Sequence, residues 1–294
     1  MNTNEQNEML YPYDPDYAVP PGETLQEVLE SLGMSKKELA LRCSLTEQTI
    51  HRICKGEQPI TYDSAERLEM ATGVPARIWN NLEMQYRQQL AKIRRLETQQ
   101  AQRGWIARIP LDDLWAYQEV QGSGDEAEVV GEALRFYGVH DVAAWQRLWK
   151  ESPIGSFKDL GIASAWVRMG QRAALALRCA PFDGARLKEA IREFSALQTT
   201  DRRCVVADLQ QRLADSGVAL VLLPPVKGLS WQALVSWSSK DKATVMLDNE
   251  VDDERLWPLL AEALGHVLRM KKKQWIILDG DSGKSSGGPA YGRS

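Results

Sequence analysis

The residues with the clearest chemical role follow Thr46, at the start of a short predicted helix with the sequence EQTIHRICK. Ile50 and Ile53 are spaced to face a core, so the polar side chains between them lie on the other face. Glutamine can bond to N6 and N7 of adenine, and arginine to O6 and N7 of guanine. A helix with such residues near its N-terminus can read base edges in the major groove. The candidate base-facing residues are Glu47, Gln48, His51 and Arg52.

The residues around this helix are candidates for contacts with the DNA backbone. Ser35 and Lys36 begin the preceding helix, whose N-terminus can approach a phosphate, and Lys55 follows the reading helix. Each of these side chains is also consistent with an ordinary solvated surface, and His51 fits a base contact, a phosphate contact or plain surface. The candidate DNA-binding set is Ser35, Lys36, Thr46, Glu47, Gln48, Thr49, His51, Arg52 and Lys55.

A second pair of residues could hold a metal ion. Glu262 and His266 are four residues apart on a helix predicted from about 257 to 270, so both side chains lie on one face. The whole sequence has three histidines, which disfavours a histidine-rich site. The alternative interpretation of His266 is a histidine near a helix end beside Arg269 and Lys271, and we favour it. We therefore predict no metal, no cofactor and no catalytic residue.

Five helices are predicted to position the DNA-reading residues. Their expected N-caps are Thr24, Ser35, Thr46 and Thr61, and Pro75 is suited to the first position of the fifth helix. The tight connection at Ser44–Leu45 between the second and third helices is typical of a helix-turn-helix.

The rest of the chain predicts helices and a small sheet. Strands are expected at about 218–224, 231–238 and 243–247, preceded by helices at about 183–197 and 200–216. Trp145, Leu148 and Trp149 should share a helix face, and Trp231 and Trp237 a strand face. The predicted boundaries are an irregular acidic arm at 1–22, the helix-turn-helix domain with its long fifth helix at 23–104, a helical middle section at 105–180, an α+β domain at 181–278 and a disordered tail at 279–294.

Composition and charge limit the classes of protein that fit. The chain has 294 residues, 44% hydrophobic and 26% charged, which favours about two globular domains and excludes a disordered, collagen-like or disulfide-scaffold protein. No membrane span and no secretory signal are predicted, and the four cysteines form no CxxC, so we expect reduced thiols in a cytoplasm. Residues 35–104 carry twelve bases and eight acids, whereas residues 1–34 carry seven acids and no base. This asymmetry fits either a polyanion-binding surface or a solvated helix face.

Residues 20–86 contain the motifs P-G-E, S-x-x-E-L-A, T-x-x-T-I-x-R-I, G-x-x-P-I-T and I-W-x-N-L-x-x-Q-Y. With these motifs the segment resembles the DNA-binding domain of HigA-type antitoxins, within the XRE class of helix-turn-helix proteins. The resemblance implies a homodimer that binds an inverted repeat near its own promoter, with the four base-facing residues named above. Glu47 departs from this expectation, because its carboxylate repels phosphates and suits mainly the amino group of a cytosine.

Residues 155–278 contain the stretches AWVRMGQRAAL, GVALVLLPPVKG, WQALVSWSSKDKATVML and LLAEALGHVL. These stretches resemble the ImmA/IrrE-type metallopeptidase domain, in which a helix carries H-E-x-x-H for zinc and a general base. This chain has Glu262-Ala263-Leu264-Gly265-His266 there, so the first ligand and the base are replaced. Alanine cannot take a proton from a metal-bound water, which is the task of the base. The predicted fold is therefore mainly α: a five-helix XRE-type domain followed by a degenerate ImmA/IrrE-like α+β domain with a small sheet.

These observations predict a sequence-specific transcriptional regulator, an autorepressor of the antitoxin or phage-repressor kind. Its protease-like domain would have lost catalysis and would act in sensing or in protein interaction. Two alternatives are an active metallopeptidase that cleaves a partner repressor, and an interaction protein that neutralises a toxin. The expected partners are double-stranded DNA, a second copy of the chain and a protein toxin or another protein, with no membrane. The expected location is the bacterial cytoplasm, at the nucleoid, with the gene in a bacterium or a phage.

Overall fold

The computed structural model describes residues 17–121, 125–194, 202–279 and 286–287. The chain forms two compact units that divide between Thr98 and Gln99. Most of the predicted acidic arm, the GSG sequence at 122–124 and nearly all of the predicted tail lie outside the described residues. In the part that the structure describes, no helix is both long enough and apolar enough to cross a membrane.

The first unit contains the five predicted helices. They are α1 (Pro21–Ser31), α2 (Lys36–Arg42), α3 (Glu47–Cys54), α4 (Tyr62–Thr72) and α5 (Ala76–Ala101), the last of which extends past the boundary between the units. Their apolar faces share one core, because the buried positions recur at helical spacing. The buried core residues are Leu25, Leu29, Leu39, Ala40, Cys43, Ile50, Ile53, Cys54, Ile60, Ala65, Leu68 and Trp79.

Three of the predicted N-caps are confirmed. The side chains of Ser35, Thr46 and Thr61 each accept a hydrogen bond from the backbone N–H three residues on. The prediction of Thr24 as the first cap is wrong: α1 begins at Pro21, with Pro20 at the N-cap position. Proline suits this place because the first turn of a helix has no partner for its N–H groups. Pro21 and Gly22, which the sequence assigned to the arm, therefore belong to α1.

The fifth helix begins one residue later than predicted. Pro75 lies just before α5, and the carboxylate of Glu69 accepts the backbone N–H of Ala76 at 2.7 Å. A side chain from the end of α4 thus caps the start of α5, which fixes the connection between these two helices.

The second unit is helical with a mixed sheet. It begins with a 3-10 helix (Arg103–Arg108), followed by α6 (Leu111–Ala116), α7 (Glu126–Tyr137), α8 (Val142–Lys150), α9 (Leu160–Ala176), α10 (Gly184–Phe194), α11 (Arg202–Asp215) and, after three strands, α12 (Asp253–Arg269). The strands are β1 (Val218–Leu223), β2 (Trp231–Ser239), β3 (Lys242–Asp248), β4 (Ile276–Asp279) and β5 (Ser286–Gly287), in the order β1-β3-β2-β4-β5. Among the strands that the structure describes, β1 and β3 pair in parallel and the other pairs are antiparallel. The sequence predicted the first three strands and missed the last two.

Helices cover both faces of this sheet. Ala219 and Val221 belong to one core together with buried residues of α7, α8 and α9. Val218 and Leu220 belong to a second core together with buried residues of α10, α11 and α12. A strand buried on both faces reads as a continuous apolar run, which explains the sequence of β1. The segments 105–180 and 181–278 therefore share the core on the first of these faces.

Two expectations about the last helix and the middle section are wrong. α12 begins at Asp253, capped by Asp252, rather than near Trp257, so Pro258 lies inside the helix. In α8, Trp145 and Trp149 are buried, but Leu148 is 53% exposed. Leu148 lies three residues after Trp145, at the edge of the apolar stripe of α8. Tertiary packing decides whether a side chain at that edge is buried.

The two tryptophans of β2 do not share a face, contrary to the sequence prediction. Trp231 packs with the core beside α9, and Trp237 packs on the opposite side against Phe182. The register with β4 shifts between Trp231 and Ala233, where two residues of β2 advance against one of β4. Such a β-bulge reverses the alternation of side chains along a strand. The prediction that both rings lie on one strand face is therefore wrong.

Candidate nucleic-acid interface

The turn between α2 and α3 sets the angle of the reading helix. Ser44 adopts a left-handed backbone conformation with φ of 53°, which is uncommon for a residue other than glycine. The backbone N–H of Leu45 donates to the carbonyl of Ala40 at 2.9 Å and closes the turn. Arg67 of α4 donates to the carbonyls of Cys43 and Ser44 at 3.3 and 3.4 Å. A side chain from another helix thus stabilises the strained turn, and no local pattern in the sequence marks this contact.

The first turn of α3 is capped from its own sequence. The hydroxyl of Thr46 accepts the backbone N–H of Thr49 at 3.0 Å, and the two hydroxyl oxygens are 2.8 Å apart. Both threonine side chains are therefore occupied locally in the protein without DNA. Their first role is to stabilise the start of α3. The first turn of a helix has further N–H groups without a partner in the helix, and these can bind a phosphate.

The outer face of α3 presents the predicted base-reading side chains. Ile50 and Ile53 are fully buried, whereas the predicted base-facing residues and Lys55 are exposed. Arg52 lies 4.0 Å from Glu57, and both side chains are more than half exposed. Such an exposed pair contributes little to stability, so the Arg52 guanidinium can reorient toward a base at small cost. The structure therefore brings Glu47, Gln48, His51 and Arg52 to one solvent-facing surface.

Ser35 and Lys36 differ from the other candidates. The Ser35 hydroxyl caps α2 by accepting the backbone N–H of Glu38 at 3.1 Å. Lys36 is half-buried and lies near Cys54 at the end of α3. Burial raises the pKa of the Cys54 thiol, and the nearby Lys36 ammonium opposes this shift. A thiol of raised pKa is a poor nucleophile at neutral pH, which fits the place of Cys54 in the buried core of the first unit.

The loop after α3 is held by a buried carboxylate that was not among the residues predicted from the sequence. Glu83 of α5 is 8% exposed, and its carboxylate accepts the backbone N–H of Ile60 at 3.1 Å and the Nε–H of Arg87 at 2.6 Å. Arg87 donates in turn to the carbonyl of Gly56 at 3.2 Å. A buried charge is stable only when it is paired and hydrogen-bonded in this way. The long fifth helix therefore fixes the C-terminal end of the reading helix.

The second candidate site, on α12, contains only part of a metal site. The Nε2 atom of His266 lies 3.9 Å from a carboxylate oxygen of Glu262, and these side chains are 20% and 46% exposed. Ala263, in the position of the general base, is fully buried in the core against the sheet. No group of three or more histidine, cysteine or acidic residues suited to a metal occurs among the residues that the structure describes. A catalytic zinc needs three protein ligands, so these residues do not fit one.

The fold and the exposed face of α3 define the class of the first unit, and a family model agrees with them. Residues 25–79 match the family described as Helix-turn-helix, so this segment is a helix-turn-helix domain. No curated protein matches the chain.

Several solved structures are similar to about a quarter of the chain. An addiction module antidote protein of a HigA family from Coxiella burnetii has 33% identity, with 25% of this chain and 82% of that one covered and a TM-score of 0.25. A Pseudomonas aeruginosa protein in complex with its operator DNA has 29% identity, with 26% and 82% covered and a TM-score of 0.25. A putative antidote protein of a plasmid maintenance system from Nostoc punctiforme has 31% identity, with 25% and 81% covered and a TM-score of 0.24.

The N-cap of α3 provides a first test of this geometry. Replacing Thr46 with alanine removes the acceptor for the Thr49 N–H, and a lost N-cap costs about 1 kcal/mol. We expect hydrogen exchange of the α3 amides to become about fivefold faster in the full-length protein. Thr46→Ser keeps the acceptor oxygen and should exchange like the wild type. Equal exchange in the alanine variant would mean that the cap does not stabilise α3.

Proposed function

We propose that this protein is a sequence-specific DNA-binding transcriptional regulator. The observation that carries the proposal is the exposed polar face of α3 within a helix-turn-helix domain. Gln48 and Arg52 can each form the bidentate contacts that distinguish adenine and guanine. The turn, the caps and the carboxylate of Glu83 together hold that face in a fixed orientation, which base recognition requires.

The proposed mode of binding is that of an autorepressor of the antitoxin or phage-repressor kind. A homodimer would place two copies of α3 in successive major grooves, so the operator would be an inverted repeat in the promoter of the gene itself. This part of the proposal is supported by the motifs of residues 20–86. The protein would act at the nucleoid in the cytoplasm of a bacterium, and a protein toxin remains a predicted partner.

Binding to operator DNA is the direct test of this function. We would titrate the full-length protein into fluorescently labelled DNA from upstream of its gene and into a scrambled duplex of equal composition. Phosphate contacts make binding to both duplexes weaken with salt, whereas base contacts favour only the operator. A preference for the upstream DNA that persists as salt is raised supports the proposal. Equal binding to both duplexes at all salt concentrations would exclude sequence-specific regulation from this promoter.

We further propose that the second unit is a degenerate ImmA/IrrE-like domain that has lost catalysis and acts in sensing or protein interaction. The proposal is supported by the replacement of the general base by Ala263, which lies in the core away from solvent. A buried methyl group cannot activate a water molecule on the surface of the helix. Glu262 and His266 alone offer two ligands, one fewer than a hydrolytic zinc site uses.

Zinc content tests this proposal. After incubation with zinc and desalting, we expect the full-length protein to retain far less than one zinc ion per chain, because two ligands on one helix bind weakly. Mass spectrometry of the metal content would measure it, with His266→Ala as the matched variant. Zinc near one ion per chain that is lost in the variant would contradict the proposal and would favour the metallopeptidase alternative.

A further inference from the structure

The second unit contains a solvent-open cleft that the DNA-binding function does not use. Its volume is about 900 Å³, within the range of ligand sites in proteins. The walls come from the 3-10 helix, the start of α6, the end of α8, the start of α9 and the loop after β1. Four separate elements and a loop therefore converge on one concave surface.

The floor of the cleft is apolar. Ile106, Leu111, Leu160 and Ile162 line it and are each partly exposed. Gly161 brings the first turn of α9 against the 3-10 helix, because a Cβ atom there would lie 1.6 Å from the carbonyl oxygen of Arg108. This close approach keeps the two walls together. An apolar surface of this shape remains open to solvent in the free protein, and a ligand with an apolar body could cover it.

The rim of the cleft carries positive charge. Arg108, Lys150, Lys158 and Lys227 line it, and in the part of the chain that the structure describes none of these four side chains has an ion-pair partner. Three carboxylates also line the cleft, those of Asp112, Asp113 and Asp159. The carboxylate of Asp113, on α6, accepts the backbone N–H of Lys227 at 2.9 Å and so is bound to the loop after β1. The cleft thus has a positive balance in a protein whose net charge is −4.

The backbone adds to this balance. α9 has 17 residues and its first turn lines the cleft, and the carboxylate of its N-cap residue Asp159 makes no hydrogen bond to that turn. The free N–H groups at the start of a helix carry a partial positive charge. The side chains without an ion-pair partner and the first turn of α9 both favour an anion, and the floor favours an apolar group. The cleft therefore suits a ligand that has both an acidic group and an apolar body.

We propose that this cleft binds a small amphipathic anion, with its apolar body on the isoleucine and leucine floor and its acidic group among the rim cations. The inference goes beyond the proposed DNA-binding function and does not depend on it. It assigns a class of ligand to the cleft of the second unit, and this assignment does not involve Glu262 or His266 on α12.

A matched pair of fluorescent probes tests the proposal on the full-length protein. The probe 8-anilinonaphthalene-1-sulfonate is an amphipathic anion, and N-phenyl-1-naphthylamine has the same ring system without the acidic group. We expect the double variant Lys150→Glu with Lys158→Glu to bind the anionic probe about fivefold or more weakly and the neutral probe almost unchanged. The control Lys188→Glu changes an exposed lysine of α10 outside the cleft and should leave both affinities as in the wild type.

A second variant tests the cavity itself. Ala107 is exposed and lines the cleft, so Ala107→Trp can fill the space without disturbing the core. We expect it to weaken both probes about tenfold, whereas the rim variant weakens only the anionic probe. Unchanged binding in the filled variant would place the probes elsewhere and overturn the proposal. An equal loss of both probes in the rim variant, or a similar loss in Lys188→Glu, would overturn the assignment of an anionic ligand.

Discussion

Replacing Gly22 with alanine is expected to destabilise the first unit by about 3 kcal/mol, at the upper end of the range for overpacking. A Cβ atom at Gly22 would lie 2.3 Å from both the Cα atom and the carbonyl oxygen of Cys54. Both contacts are with backbone atoms, which cannot move aside as the end of a side chain can. The start of α1 would therefore separate from the end of α3, and operator binding should fall with the population of the folded domain.

Hydrogen exchange of the full-length protein can locate this effect. The amides of α1 and α3 should exchange faster by two orders of magnitude or so, while those of the second unit stay protected. Gly104→Ala is the control, because a Cβ atom at Gly104 meets no atom within 4 Å. Normal protection of α1 and α3 in the Gly22 variant would show that the two helices can shift without loss of stability.

Gln48→Ala and Arg52→Ala should each weaken operator binding by about 1–3 kcal/mol, which is about fivefold to more than a hundredfold in Kd. The reason is that each side chain is exposed on α3 and can make two hydrogen bonds to one base. Binding to a scrambled duplex should change much less, because its affinity comes from phosphates. Fluorescence anisotropy with both duplexes measures the two affinities at one fixed salt concentration.

The control for Arg52→Ala is Arg77→Ala, which removes the same charge from the exposed start of α5. It should leave the ratio of operator to scrambled affinity unchanged. If Arg52→Ala weakens both duplexes equally, Arg52 contacts phosphate rather than a base. If neither α3 variant changes operator binding, the reading surface lies elsewhere and the proposed function loses its main support.

The helices of the first unit were predictable because their signals are local. Ser35, Thr46 and Thr61 cap helices whose first turns lie within three residues of them. Ile50 and Ile53 follow the period of an α-helix, so the exposed face of α3 could be assigned from the sequence. The prediction of Thr24 as the first N-cap was wrong because α1 begins three residues earlier, at Pro21. No side chain caps that first turn.

The interactions that hold the reading helix were not predictable in this way. Glu83 accepts a hydrogen bond from Ile60, 23 residues away, and Arg87 donates to Gly56, 31 residues away. No periodicity marks such pairs, because they depend on how α5 packs beside the loop after α3. The contact between Arg67 and the turn at Ser44 has the same origin.

The sequence by itself determined the five helices of the first unit, their principal caps and the polar face of α3, because these depend on neighbours within one or two turns. The tertiary structure alone decided the short strand β4 and the opposite faces of Trp231 and Trp237. It also brought the walls of the anion-favouring cleft together from residues 106 to 227. The physical reason is that strand pairing, a β-bulge and a concave surface depend on contacts between distant residues, which local propensity does not encode.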